Sequence, residues 1–127
     1  MQVDIITPEK VLFSNNDVSM VTIPGIEGQM GILDDHIPIV TFLRPGVINV
    51  ENKKNKYFFT TGGVVDFKNN ILSILCQDIY DIEELTDDKI TQLKNNANKK
   101  IKDENCTDHE NFISNTLIEE LNLLKSR

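Results

Sequence analysis

All six glycines and all four prolines of the chain lie at or before Gly63, and none follow in the remaining half. Glycine and proline punctuate turns, so a turn-rich stretch gives way to a turn-free one. That is the pattern of short strands followed by helices. Aromatic residues thin out in the same direction: beyond Tyr80 only Phe112 remains.

The first part reads as many short strands. Val3 and Ile5 alternate with polar neighbours, as do Val11 and Phe13, then Val18 and Met20. Further β-rich runs cover 39–43, 47–50, 57–61, 64–67 and 71–76. Turn signals separate them, among them Pro24-Gly25, Pro45-Gly46, Gly62-Gly63 and Lys68-Asn69-Asn70. Strands at such close spacing predict a sandwich or barrel.

From Asp87 the period changes. Ile90, Leu93, Ala97 and Ile101 form one narrow apolar stripe on a helix. Asp87 and Asp88 open that helix and lysines close it, as the helix dipole favours. A polar break follows at 102–106. Thr107-Asp108-His109-Glu110 then has the form of a capping box. The second helix carries Ile113, Leu117, Leu121 and Leu124 on one face, widened by Phe112, Ile118 and Leu123. Two amphipathic helices with a short connection predict an antiparallel hairpin. The second helix is apolar over more surface than one thin partner covers, so a further contact is expected. The asparagine-rich run Asn95-Asn96-Ala97-Asn98 makes the first helix marginal in isolation.

Bulk properties exclude several classes. The formal net charge is −7 and the basic residues are scattered, which argues against a nucleic-acid partner. No run approaches the roughly 18 apolar residues of a membrane span. The start of the chain shows neither a secretory signal nor an Arg- and Ser-rich transit segment. Cys76 and Cys106 are too few for a disulfide scaffold and are expected to be reduced thiols.

Candidate chemistry is sparse. Asp34-Asp35-His36 could hold a divalent metal or run acid–base catalysis. Neighbours on a strand point to opposite faces, however, and Asp-Asp at a turn is ordinary. His109 has no evident partner, and Ser14 and Ser19 lack a nucleophile-elbow context. Gly25, Gly28 and Gly31 do not form a phosphate loop, because no Gly-Lys-Ser/Thr follows; they read as turn and bulge residues.

The segment 23–33, Ile-Pro-Gly-Ile-Glu-Gly-Gln-Met-Gly-Ile-Leu, resembles the "P-G-x-E-G-x-x-G-x-L" pattern of the epsilon subunit of F-type ATP synthases, called delta in mitochondria. Asp35-His36-Ile37-Pro38 is similar to the family's "G-H-x-P", and Leu43-Arg44-Pro45-Gly46-Val47-Ile48 to its "L-x-P-G-x-[IV]". Thr61-Gly62-Gly63 stands where the family has "[ST]-G-G". The opening residues Ile6-Thr7-Pro8-Glu9 and Val11-Leu12-Phe13-Ser14 also match. The motifs keep the family order over residues 3–76, whereas the tail matches in layout alone.

The resemblance implies a mainly β fold with an α tail. An N-terminal β-sandwich of about ten short strands, residues 1–82, precedes a C-terminal antiparallel two-helix hairpin, residues 83–127. It implies a non-catalytic central-stalk subunit of a proton-transporting ATP synthase, with no cofactor. Such a subunit links the gamma subunit to the c-ring, and its tail is the part that would reach the alpha and beta subunits. The implied location is peripheral, on the cytoplasmic face of a bacterial plasma membrane.

Gln29 and Met30 fall on the loop that resembles the c-ring contact. Gln29 is neutral where some members have glutamate, so Asp34 or Asp35 is expected to supply the negative charge. His36 matches a position near the gamma interface, or pins its own loop. Asp35 replaces the family glycine before that histidine, a position where positive φ would strain most residues.

The tail departs further. Some bacterial members bind ATP through "[IL]-D-x-x-R-A". The nearest match here is Leu85-Thr86-Asp87-Asp88-Lys89-Ile90, with Thr86, Lys89 and Ile90 in place of Asp, Arg and Ala. The only arginines are Arg44 and Arg127, so no second helical arginine can fork onto phosphate. Tight ATP binding is not expected. With Glu110, Glu119 and Glu120 on the second helix, strong self-inhibition is not expected either. The alternatives are a stand-alone β-sandwich binding module with a dimerising helix pair, and a small metal enzyme built on Asp34, Asp35 and His36.

Overall fold

A computed structural model describes residues 1–103 and 105–125, with only the backbone of Lys125; Glu104 of the polar break and Arg127 lie outside them. The chain divides into two compact units, Met1–Ile82 and Glu83–Arg127. The mainly β class with a helical tail is as the sequence predicts.

The strands are β1 Gln2–Ile6, β2 Val11–Asn15, β3 Met20–Gly25, β4 Gly28–Leu33 and β5 Ile39–Leu43. They continue with β6 Gly46–Glu51, β7 Lys56–Thr60, β8 Gly63–Lys68, β9 Ile71–Cys76 and β10 Ile79–Asp81. One half of the sheet runs β4-β3-β6-β7-β10 and the other β5-β8-β9-β1-β2. A single residue pair, Gly25 opposite Leu43, joins them through β3 and β5. Only β1 and β9 run parallel; the other strand pairs are antiparallel.

The period-2 pattern decides which side chains face inward. Val3 and Ile5 of β1, Leu72 and Ile74 of β9, and Val65 and Phe67 of β8 are buried. They meet Val21, Ile23, Ile32, Ile48, Val50 and Phe58 of the other half in one core. Phe13 of β2 and Phe58 of β7 stack edge-on across it, with centroids 5.6 Å apart.

Two turns show why particular residues are needed. Asn69 and Asn70 have φ of 53° and 60°, two left-handed residues in a row between β8 and β9. The mirror-image turn this makes matches strand twist, and asparagine tolerates it better than other side chains. At the start of β8, a Cβ on Gly63 would run into the Leu75 carbonyl oxygen and lie 2.9 Å from Cys76 Sγ. No larger residue fits there without moving β9.

The tail opens with a 3₁₀ turn, Ile82–Glu84, followed by α1, Asp87–Lys102, and α2, Asp108–Lys125. Thr86 caps α1, its hydroxyl accepting from the Lys89 N–H at 3.2 Å. Thr107 does the same for α2, accepting from the Glu110 N–H at 3.1 Å. Ile90, Leu93 and Ala97 are buried on α1, which packs along α2. On α2 only Leu121 is fully buried among the leucines, while Ser114 and Thr116 are buried polar residues. The Thr116 hydroxyl returns its proton to the Phe112 carbonyl at 2.9 Å, which satisfies it locally. Among the described residues no helix is long and apolar enough to cross a membrane.

Candidate interaction surfaces

The hairpin between β3 and β4 closes at Gly25 opposite Gly28, with Ile26 and Glu27 exposed at its tip. Gly28 has φ of 139°, a conformation glycine adopts without strain. Three hydrogen bonds tie this turn to the end of β5. Ile26 N–H donates to Phe42 O at 3.0 Å and Arg44 N–H to Pro24 O at 2.9 Å. The Arg44 guanidinium Nε–H donates to Gly25 O at 3.1 Å. The turn is therefore held at the corner where the two halves of the sheet meet.

Gln29 lies beside this turn and is exposed. Met30, one residue on, points the other way: it pairs opposite Ile23 and packs partly buried against the core. Asp34 and Asp35 follow β4 at its far end. At about 3.3 Å per strand residue they stand on the order of 17 Å from Gln29. The structure thus does not gather Gln29, Met30, Asp34 and Asp35 into one patch.

At that far end the side chain of Asn70 clips the turn. Its Oδ1 accepts from the Asp35 N–H at 2.9 Å, and its Nδ2 donates to Asp34 Oδ1 at 2.8 Å. The Met1 ammonium lies 3.0 Å from the same Asp34 oxygen and donates to Val18 O at 2.9 Å. These contacts, the ammonium first and Asn70 second, hold the Asp34 carboxyl below its ordinary pKa. Asp35 sits at φ 61°, so the glycine-like position is kept by an aspartate in the left-handed region.

His36 N–H closes the turn onto Leu33 O at 3.1 Å. Its ring stacks edge-on to Phe67 with centroids 6.0 Å apart, and Nδ1 lies 2.7 Å from Ile37 O. In the tautomer that donates from Nδ1, Nε2 is the acceptor nitrogen. The histidine pins its loop in this arrangement. Among the described residues no three His, Cys, Asp or Glu side chains come together as a metal site. Cys76 is buried, and burial pushes its thiol pKa up, as expected of an inert core thiol.

The feature that residue-by-residue reading missed is on the outer face of the β5-β8-β9-β1-β2 layer. Cross-strand pairing sets Phe42, Val64, Leu75, Ile6 and Val11 side by side in one row. Phe42, Leu75 and Val11 are 61%, 46% and 58% exposed, and the other two are half-buried. A groove of about 310 Å³ lies at its Ile6–Leu75 section, walled also by Pro8. An apolar row across five strands is unusual on a solvated sheet face and marks a surface meant to be covered. The Phe42 end of the row adjoins the β3–β4 turn.

Residues 1–82 match the family model described as "ATP synthase, Delta/Epsilon chain, beta-sandwich domain". The ATP synthase epsilon chain of Pelagibacter ubique (strain HTCC1062) is 38% identical over 124 residues, covering 97% of this chain and 95% of the relative. This chain belongs to the ATP synthase delta/epsilon family. The mitochondrial ATP synthase subunit delta of Schizosaccharomyces pombe is 37% identical over 68% of this chain and 53% of its own length. The fold is shared with a chain in the Euglena gracilis mitochondrial ATP synthase OSCP/F1/c-ring structure, at TM-score 0.77 and 23% identity. That alignment covers 95% of this chain and 78% of the Euglena chain. A chain of the Tetrahymena thermophila mitochondrial ATP synthase central stalk/c-ring structure aligns at TM-score 0.69 and 19% identity, covering 99% and 94%.

Proposed function

We propose that this chain is a non-catalytic central-stalk subunit of a proton-transporting F-type ATP synthase. It links the gamma subunit to the c-ring and helps carry ring rotation to catalytic sites on other subunits. The observation that carries the reading is the apolar row from Phe42 to Val11, on a chain whose family is that of the epsilon chains. A rotor part must be fastened to its neighbours, and an uncovered apolar row beside a rigidly tied turn suits fastening rather than chemistry. The gamma subunit would cover that row and meet His36. Gln29, with Met30 beneath it, forms one contact with the polar loops of the c-ring; Asp34 and Asp35, at the far end of β4, form a second.

The chain would lie peripherally on the cytoplasmic face of a bacterial plasma membrane, held there by its partners. The tail has at most a weak regulatory part and no tight ATP site. In support, the Thr86 hydroxyl is engaged in capping α1 and Ile90 is 5% exposed, so neither faces a ligand.

The test is affinity purification of the tagged chain from its own cells in mild detergent, with mass spectrometry of the retained proteins. Alpha, beta, gamma and c subunits are expected with the wild type, and loss of gamma with Phe42→Asp. Recovery of the chain alone, or only with itself, would refute the rotor reading.

A further inference from the structure

One strand step from the apolar row lies a second outward row: Val40, Asp66, Ser73, Asp4 and Ser14. It places two carboxylates on the face, one on each side of Ser73. At about 4.8 Å between neighbouring strands, a cation above Ser73 would stand roughly one strand spacing from each. Asp4 is pre-oriented: Ser14 Oγ and Gln2 Nε2 both donate to its Oδ1 at 2.7 Å. Neither Asp4 nor Asp66 forms an ion pair among the described residues. Both are half-buried, so a partner seated on the apolar row would remove much of their remaining water.

Asp66 also borders a groove of about 360 Å³. Pro38 and Val40 line it with Lys68; Ile39 and Phe67 also border it, but their side chains are turned to the core. Apolar walls with a carboxylate at one side suit a long aliphatic stem that ends in a cation. On the strands of this face the outward charges are Asp4, Asp66 and Lys68.

We propose that this face recognises its partner by charge as well as by apolar cover: a lysine or arginine of the gamma subunit lies along the Val40–Asp66 groove and is received by Asp66 and Asp4. The proposal rests on the reading that the gamma subunit covers this face. Other occupants fit less well. A second copy of this chain would bring four carboxylates together in a drying interface, where like charges repel. An anionic lipid surface would be repelled by the same groups. A neutral apolar partner would strip water from two carboxylates and return nothing.

The experiment is a titration of the full-length chain with purified gamma subunit at several salt concentrations. It compares the wild type with Asp4→Asn/Asp66→Asn and with Phe42→Ser. Asparagine at position 4 can still accept from Ser14 and Gln2, so the fold is expected to survive, with an unchanged thermal midpoint as the check. The double variant is expected to bind on the order of ten- to a hundred-fold more weakly, with a flatter salt dependence. A second variant, Asp66→Lys, should weaken binding further at low salt than at high salt. If Phe42→Ser abolishes binding while both charge variants bind like the wild type, the face docks gamma but charge recognition is wrong. If gamma binds Phe42→Ser as well as the wild type, gamma does not cover this face, and the proposal falls with that reading.

Discussion

The two units bury themselves in different ways. The head closes around large side chains: Phe58, Phe67, Ile23, Ile48, Leu72 and Ile74 are all under 2% exposed, and every strand is bonded to a neighbour. The hairpin buries one leucine completely on α2 and sets an alanine, a serine and a threonine into its packing. Its first helix carries three asparagines and five lysines around that narrow stripe. The difference teaches that the head is specified by packing, whereas the helices lean on caps and end charges to hold a small core.

Ile74→Ala would break this contrast most strongly. The side chain is fully buried between both halves of the sandwich, so a cavity costing about 2–5 kcal/mol is expected. Urea unfolding should show a lower midpoint for the head; a shift corresponding to a few tenths of a kcal/mol would mean the core is looser than its burial implies.

The same deletion in the tail should cost less. Leu121→Ala is expected to lose about 2 kcal/mol, at the lower end for leucine, because two thin helices can settle into the space. Hydrogen exchange should rise along 87–125 while β8 and β9 keep their protection. Equal acceleration in the head strands would show the two units to melt as one.

Removing a cap tests whether end effects matter in the hairpin. Thr107→Ala deletes the hydroxyl that accepts from Glu110 N–H and should cost about 1 kcal/mol of α2 stability. Far-UV circular dichroism against temperature would register it as an earlier loss of helix, and an unmoved melt would leave tertiary packing as the sole support of α2.

The smallest effect is a pH dependence in the head. Asp34 has its pKa lowered in the folded state by the Met1 ammonium and by Asn70. Its stabilising contribution is complete above the ordinary carboxylate pKa of about 3.9 and is lost as pH falls through the lower folded value. Asp34→Asn should therefore flatten the acid limb of the head's stability curve and leave neutral pH almost unchanged. An identical acid limb in the variant would show that the exposed pair is fully screened.

Much of the fold was legible because neighbouring residues encode it. The alternation around Val3 and Ile5, the run 71–76 and the stripe Ile90, Leu93, Ala97 each state a period on their own. β4 was harder to read, since Gly28, Gln29, Met30 and Gly31 give no alternation of strand formers, and pairing with β3 makes it a strand. Three-residue β10 was likewise invisible until β7 supplied its partner. The segment 18–20 read as a strand, yet β3 begins only at Met20; Val18 is buried while its N–H makes a long 3.4 Å bond to Met1 O. Of the candidate site, the motif residues Gln29 and His36 were legible one at a time. Their separation along β4 was not, nor was the turning of Met30 towards the core.

By itself the sequence determined the family, the change from strands to helices between Cys76 and Asp87, and the glycine and asparagine turns, because these depend on local chemistry and short spacing. The tertiary structure alone decided which side chains share a surface. Phe42 and Val11, or Asp66 and Asp4, are far apart in the chain and come into line only through the register of β5, β8, β9, β1 and β2. Register is set by hydrogen bonding and burial summed over all five strands, and a one-residue slip in any of them would turn its share of that face inward.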